Sequence, residues 1–534
     1  MSNARFRSGA AGDLRAPDFA PDRPCSELRE LFAPLDRLLV SGGDARLDLD
    51  PRTGRNAYGC SPSPRGGMTS FSSSTATTIS QRGFERAGRA RDRLMEAAIA
   101  VGLVDAFDTC IEATRSELKD CLGLHPSGAD VVFSASGTDA QIQALFLVQS
   151  ILGLPLTTVI VGADQTGSGT SFTALGRHFS DRTSLGARVR KGEPIEGLAG
   201  SVTSLAVPLT QADGSSRSVQ DIDGQVVGMV ERAIAGGARV LLQTMDSSKL
   251  GWRAPSDECL RQIADRWPGS VQVVVDACQM RLGRSRLARY LDRGFMVLLT
   301  GSKFFAGPPF SGALLVPGSM AGEIGAIAEI PPGLRDYSCR TDWPARWSAL
   351  RGCFPGRPNF GQWLRWEAAL GEISAYYRLP EDFRRSAERE LGVGIARLIE
   401  ASPSLRPLPA EGRDGDDNLD GEMAWPTIFP FRIERRGRAL AAPECRDIYR
   451  ALAGREDASP IGQPVVLGRG EEAPTALRMS IDARQVSESW CADDEVARRN
   501  LRSLLDDAAT SVAQIETLVG QSDRQETRAG VHEH

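Results

Sequence analysis

Seven short apolar runs punctuate the sequence between Ala129 and Pro317: ADVVFSAS, TTVIVGA, SVTSLAVPL, ARVLLQTM, VQVVVDA, FMVLLTGS and GALLVP. Most are continuous rather than alternating, which is the pattern of strands covered on both faces. Helical stretches separate most of them. Parallel neighbours need crossover connections, so strand and helix in alternation predict a largely parallel sheet in an α/β fold. Ligands collect where the strands of such sheets end. The residues just past each run are therefore the ones to inspect.

Composition narrows the function classes. The chain has 534 residues with 41% apolar and 25% charged residues, enough to bury a large core in two domains around one site. A net charge of −5 argues against a nucleic-acid binder, which needs a dominant basic field. No apolar run is long enough for a membrane span, and the polar, Arg-containing start lacks an apolar signal region, so the expectation is a cytoplasmic protein. The ten cysteines form no C-x-x-C pair and read as reduced packing residues. With four histidines, two of them at the tail, neither a metal site nor a serine-histidine triad is expected.

Irregular segments frame these runs. Residues 1–70 read as an N-terminal arm and loop, although a loop as long as Ser41–Ser80, with its Ser/Thr cluster, usually has work to do in a compact protein. Residues 71–325 would form the large domain, 326–515 a smaller C-terminal domain opened by the helix FGQWLRWEAALGEISAYYRL, and 516–534 a flexible tail. The acidic stretch EGRDGDDNLDGE reads as a solvated loop.

Four strand ends carry candidate chemistry. After the first run, Ser136-Gly137-Thr138 makes a tight turn into a helix. It reads either as an ordinary capped helix or as a phosphate cradle of backbone N–H groups at a helix N-terminus. The second end, VGADQTGSGTSF, has glycines at phosphate-loop spacing, but Ser168 stands where that motif requires lysine. At the third, Asp276 follows three valines, where a carboxylate needs a compensating cation. At the fourth, Lys303 follows Thr300-Gly301-Ser302. Lysine is scarce here, four among 63 basic residues, and a lysine amine forms an imine with an aldehyde as a guanidinium does not. Lys249, in TMDSSKLGW, also follows a strand and two serines.

Together these residues resemble the fold-type I pyridoxal-phosphate enzymes, in the class V aminotransferase branch that includes the cysteine desulfurases. The branch's Asp-x-x-Gln element appears as Asp276-Ala277-Cys278-Gln279 and its Ser-x-x-Lys element as Thr300-Gly301-Ser302-Lys303. AGPPFSGALLV matches the turn and small-residue strand after the lysine, and Leu477-Arg478-Met479-Ser480 matches a C-terminal Leu-Arg-x-Ser segment. The resemblance implies a large cofactor domain with a mostly parallel sheet, a smaller C-terminal α+β domain, pyridoxal 5'-phosphate as cofactor and a homodimer. It further implies that Lys303 forms the Schiff base and shuttles protons at the substrate's α-carbon, and that Asp276 keeps the pyridine nitrogen protonated. On the same footing Gln279 would bond the phenolic oxygen. Ser136, Gly137, Thr138, Thr300 and Ser302 would hold the phosphate, and Arg478 would fork onto a substrate carboxylate.

Two departures stand out. Asp164-Gln165-Thr166-Gly167 occupies the place where the branch carries a ring-stacking aromatic or histidine, with His178 further on, and SPIGQPVVLGRG lacks a desulfurase cysteine. The expected function is amino transfer on an amino acid or related amine. A lyase, a decarboxylase or other α-carbon chemistry would use the same residues, and a non-enzymatic phosphate- or nucleotide-binding α/β protein is the rival of another class.

Overall fold

Each of the seven apolar runs forms a strand in the computed structural model, which describes residues 28–531 except 67–68, 410–420, 454, 456–457 and 471. They are β1 (Asp130–Ser134), β2 (Leu156–Val161), β3 (Val202–Val207), β4 (Arg239–Met245), β5 (Val271–Asp276), β6 (Met296–Thr300) and β7 (Gly312–Val316). The sheet order is β1-β7-β6-β5-β4-β2-β3. Strands β2 to β6 pair in parallel, and β7 runs antiparallel between β1 and β6. The chain between Thr300 and Gly312 is too short for a crossover helix, so the strand after it must turn back. The expected α/β class is the one observed.

The turn back brings β7 against the start of the helix that follows β1. A Cβ at Gly312 would lie 2.3 Å from the carbonyl carbon of Ser136, so only glycine admits this approach. The same contact sets Ser136-Gly137-Thr138 beside the loop that carries Lys303.

Five helices matter for the site: α1 (Gln81–Val101), α2 (Leu103–Leu122), α3 (Gly137–Leu152), α4 (Phe360–Tyr377) and α5 (Glu381–Ala401). Helix α4 is buried nearly all round and packs against α1 and α2. At its centre Arg365 is fully buried. It donates to the carbonyls of Phe310 (2.7 Å), Leu39 (3.1 Å), Ser41 (2.5 Å) and Gly42 (2.8 Å). Burial lowers its proton affinity to about 9, against the pull of Asp139 and Asp44.

A second, antiparallel sheet holds β8 (Leu405–Pro407), β9 (Ile428–Arg435), β10 (Arg438–Ala439), β11 (Gly462–Val466) and β12 (Thr475–Ser480). β11 lies inside SPIGQPVVLGRG, whose glycines and prolines give no strand pattern. Its pairing with β12 is interrupted by a register shift between Gly462 and Val465, which breaks any clean alternation. A helix over Asp494–Val531 runs into the stretch read as a tail. Its buried stripe of Leu501, Ala508, Val512, Ile515 and Val519 explains why the chain stays helical up to there. The arm at residues 1–25 and most of the acidic loop lie outside the described residues. Nine cysteines of the described residues are free thiols, no metal-holding cluster occurs among those residues, and none of their helices is long and apolar enough to cross a membrane.

Arg365→Met keeps most of the side-chain volume and leaves four carbonyls without their donor. We expect a loss of about 3–5 kcal/mol in urea unfolding, the usual cost of stranding buried polar groups. A loss below about 1 kcal/mol would mean that water takes the guanidinium's place.

Candidate functional site

The carboxyl ends of β1, β2, β4, β5 and β6 open onto one cavity of about 350 Å³. The residues to which the resemblance gives cofactor or substrate roles, Ser136, Gly137, Thr138, Asp276, Gln279, Thr300, Ser302, Lys303 and Arg478, all line it. They come from four separate stretches of chain. Topology brings three of these together, because β5 and β6 are neighbours and β7 holds the β1 end against them.

Ser136 caps α3, its hydroxyl accepting from the Asp139 N–H at 3.3 Å, so the Gly137 and Thr138 amides stand at the positive end of a sixteen-residue helix. A Cβ at Gly137 would meet the Cys278 sulfur at 2.7 Å, which packs this turn tightly on the Asp276 loop. Thr300 donates its hydroxyl proton to the Cys278 carbonyl at 2.7 Å and so fastens the same loop from the other side. Asp276 is half-buried, accepts from the Cys278 N–H at 3.1 Å and stands 3.4 Å from the Thr166 hydroxyl.

The Lys303 ammonium donates to the Thr75 carbonyl at 3.0 Å. Burial, opposed by Cys278 and Asp276 and helped by Arg478 and Arg281, lowers its proton affinity to about 8. Gln279 donates from Nε2 to the Ser74 carbonyl at 3.0 Å, while its Oε1 is buried with no hydrogen-bond partner. Arg478, only 2% exposed, donates to the Ser74 hydroxyl (2.9 Å), the Thr75 hydroxyl (3.0 Å) and the Gln463 carbonyl. Every one of these partners is neutral, and burial lowers the guanidinium's proton affinity to about 10.

The Ser/Thr cluster of the long N-terminal loop thus holds Lys303, Gln279 and Arg478 at once. Sequence reasoning assigned it no role. The available signal was the loop's length and hydroxyl content, but nothing local told which distant side chains those groups would meet. Arg46 was missed for the same reason. Its guanidinium lies between Tyr58, Thr138 and Ser136 on the cavity wall.

Lys249 also lines the cavity. It donates to the Thr166 carbonyl at 2.6 Å, and burial, with Arg478 and Lys303 nearby, lowers its proton affinity to about 8. Asp164 is turned away, accepting from the Leu209 and Thr210 amides at 2.8 and 3.0 Å. His178 is not on the cavity wall; its ring stacks on Tyr337 and its Nδ1 lies 2.7 Å from that hydroxyl. Cys278 is the cavity's own thiol, and burial beside Asp276 raises its proton affinity well above the ordinary value.

In backbone, the chain is similar to the cystine C–S lyase C-DES, at 15% identity and TM-score 0.49 over 83% of this chain and 98% of that one. It is similar to a NifS-like protein at 13% identity and TM-score 0.48, over 82% of this chain and 99% of the other. A third similar structure is Sphingomonas wittichii serine palmitoyltransferase, at 13% identity and TM-score 0.44 over 84% and 87% of the two chains. No family model and no curated protein matches the sequence.

The two cavity lysines should react with a small aldehyde as free bases at unusually low pH. In reductive methylation with formaldehyde and cyanoborohydride, followed by peptide mass spectrometry, modification at Lys303 and Lys249 should rise through about pH 8. A rise only near ~10.4, the value of a free lysine, would show that both ammonium groups are solvated.

Proposed function

We propose that this protein is a pyridoxal-phosphate-dependent enzyme acting on an amino acid or related amine, with amino transfer as its reaction. One observation carries the reading: a lysine of lowered proton affinity, a carboxylate, a helix N-terminal turn and an arginine with only neutral partners line a single cavity at the strand ends.

The donor set fits the cofactor. Lys303 is an amine that burial biases toward the free base, as an aldehyde partner requires. The amides of Gly137 and Thr138 and the hydroxyls of Ser136 and Ser302 suit a phosphate. Asp276, one strand away, suits a protonated ring nitrogen. The buried, unpartnered oxygen of Gln279 marks wall surface whose polar capacity the chain itself leaves unmet. When bound, pyridoxal phosphate supplies an electron sink for charge developing at the substrate's α-carbon.

The chain's own residues do the rest. Asp276 keeps the proton on the ring nitrogen by charge, held in place by the Cys278 amide. Lys303 would take the proton from the amine donor's α-carbon in one half-reaction and deliver one to the keto acceptor's α-carbon in the other. Arg478 binds the substrate's carboxylate and so fixes which α-substituent faces Lys303; the Ser74 and Thr75 hydroxyls hold its guanidinium plane. Desolvation and the neighbouring Asp276 raise the proton affinity of the cavity thiol, Cys278, which disfavours persulfide chemistry.

Borohydride reduction of the protein with pyridoxal phosphate, followed by peptide mapping, should place the label on Lys303. Recovery on Lys249 would move the cofactor lysine to the loop after β4, and recovery on no lysine would end the reading. Reaction type needs a separate measurement. With a panel of amino acids and no keto acceptor, a single turnover should leave the pyridoxamine form of the cofactor and one equivalent of keto acid. Release of ammonia or carbon dioxide instead, with the cofactor back in its starting form, would make the protein a lyase or decarboxylase.

A further inference from the structure

The N-terminal segment before the Ser/Thr loop places a cation at the Ser136–Thr138 turn. Arg46 lies on a short turn, Ala45–Leu47, capped by Asp44. Asp44 is fully buried and grips the guanidinium in a two-pronged pair, at 2.9 Å to Nε and 2.6 Å to Nη2. The outer edge of the same guanidinium faces the turn: Nη2 is 3.3 Å from the Ser136 hydroxyl, and Nη1 is 3.5 Å from the Thr138 hydroxyl and 3.3 Å from that of Tyr58. The plane rests on Phe310 and Phe179, with its central carbon 4.8 and 5.3 Å from the ring centroids.

We propose that Arg46 is the cation that binds the cofactor's phosphate at the Ser136–Thr138 turn, an inference that rests on the pyridoxal-phosphate reading above. Three observations carry it. The two contacts to the Ser136 and Thr138 hydroxyls are long for hydrogen bonds, so an anion at the adjoining helix N-terminus would take shorter, charge-assisted bonds from the same guanidinium edge. The guanidinium's inner edge is already committed to Asp44, which fixes the direction of the free edge. The third observation concerns what an anion would otherwise meet. Asp139, in the first turn of α3, is fully buried with Oδ1 unpartnered, and its Oδ2 lies 2.5 Å from the Ser136 hydroxyl. A phosphate placed beside that carboxyl without a nearby cation would be repelled whenever Asp139 is ionised. The charged groups facing this corner are therefore Arg46, Arg365, Asp44 and Asp139, with the Tyr58 hydroxyl accepting from Arg46.

The position has a structural source. The carbonyls of Leu39, Ser41 and Gly42 are tied to Arg365, so the segment carrying Arg46 is clamped to α4 beside Phe310. The phosphate end of the site is thus completed by chain that lies before the large sheet begins.

The test compares two ligands that differ only in the phosphate. Binding of pyridoxal phosphate and of pyridoxal to cofactor-free protein is measured by visible absorbance for wild type, Arg46→Ala and Arg46→Lys. Arg46→Ala should weaken pyridoxal phosphate by roughly 10- to 100-fold, the range for a lost charge-assisted contact, and leave pyridoxal within about twofold. Arg46→Lys should fall between, since it keeps the charge and loses the fork. Equal loss for both ligands would make Arg46 a packing residue, and unchanged affinity for pyridoxal phosphate would place the phosphate elsewhere; either overturns the proposal. Should Arg46→Ala not fold, the same ratio for Arg46→Lys decides, with no change against wild type counting against it. A wild-type protein that binds neither ligand would instead refute the cofactor reading itself, and this inference with it.

Discussion

The architecture around the site depends on Arg365. A guanidinium on a buried helix, with carbonyl oxygens for partners, is costly in isolation and persists because four carbonyls on two backbone segments need its donors. It joins Leu39–Gly42 of the N-terminal segment to Phe310 of the loop between β6 and β7. Phe310 packs under Arg46, and the same loop carries Lys303. One buried cation therefore sets the distance between the lysine loop and the wall across the cavity.

Around that clamp, the sheet supplies direction. Parallel strands deliver their ends to one side, so Asp276 and Thr300 emerge beside each other on β5 and β6. The antiparallel β7 then draws the β1 end into the same place through the close approach at Gly312. Among the described residues the cavity wall collects the cations Lys249, Lys303, Arg46 and Arg478 against one carboxylate, Asp276. Burial lowers the proton affinity of both lysines and of Arg478. Such a cavity favours anionic ligands, and its lysines lie closer to neutrality than lysines in water.

The hydroxyl-rich loop Ser72–Thr78 works by a different principle. It has little regular structure, yet its carbonyls and hydroxyls accept from Lys303, Gln279 and Arg478. Irregular backbone leaves carbonyls free for side chains, which a strand or helix would have used in its own ladder. That freedom explains why the segment remains unstructured in type while its residues are buried.

The amino-acid sequence by itself determined the seven strands of the large sheet, since continuous apolar runs between helices admit few other structures. It also determined the residues at their ends, because Asp276, Thr300, Ser302, Lys303 and the Ser136–Thr138 turn are local to those runs. Only the tertiary structure decided what faces them. Arg46, Ser74 and Thr75 carry no periodicity, and the partners that place them at the site lie 92 to 404 residues away along the chain. Arg46 pairs with Thr138 across 92 residues because Arg365 and Gly312 bring the segments together in space. Contacts of that kind arise from packing between elements, which no local pattern of residues encodes.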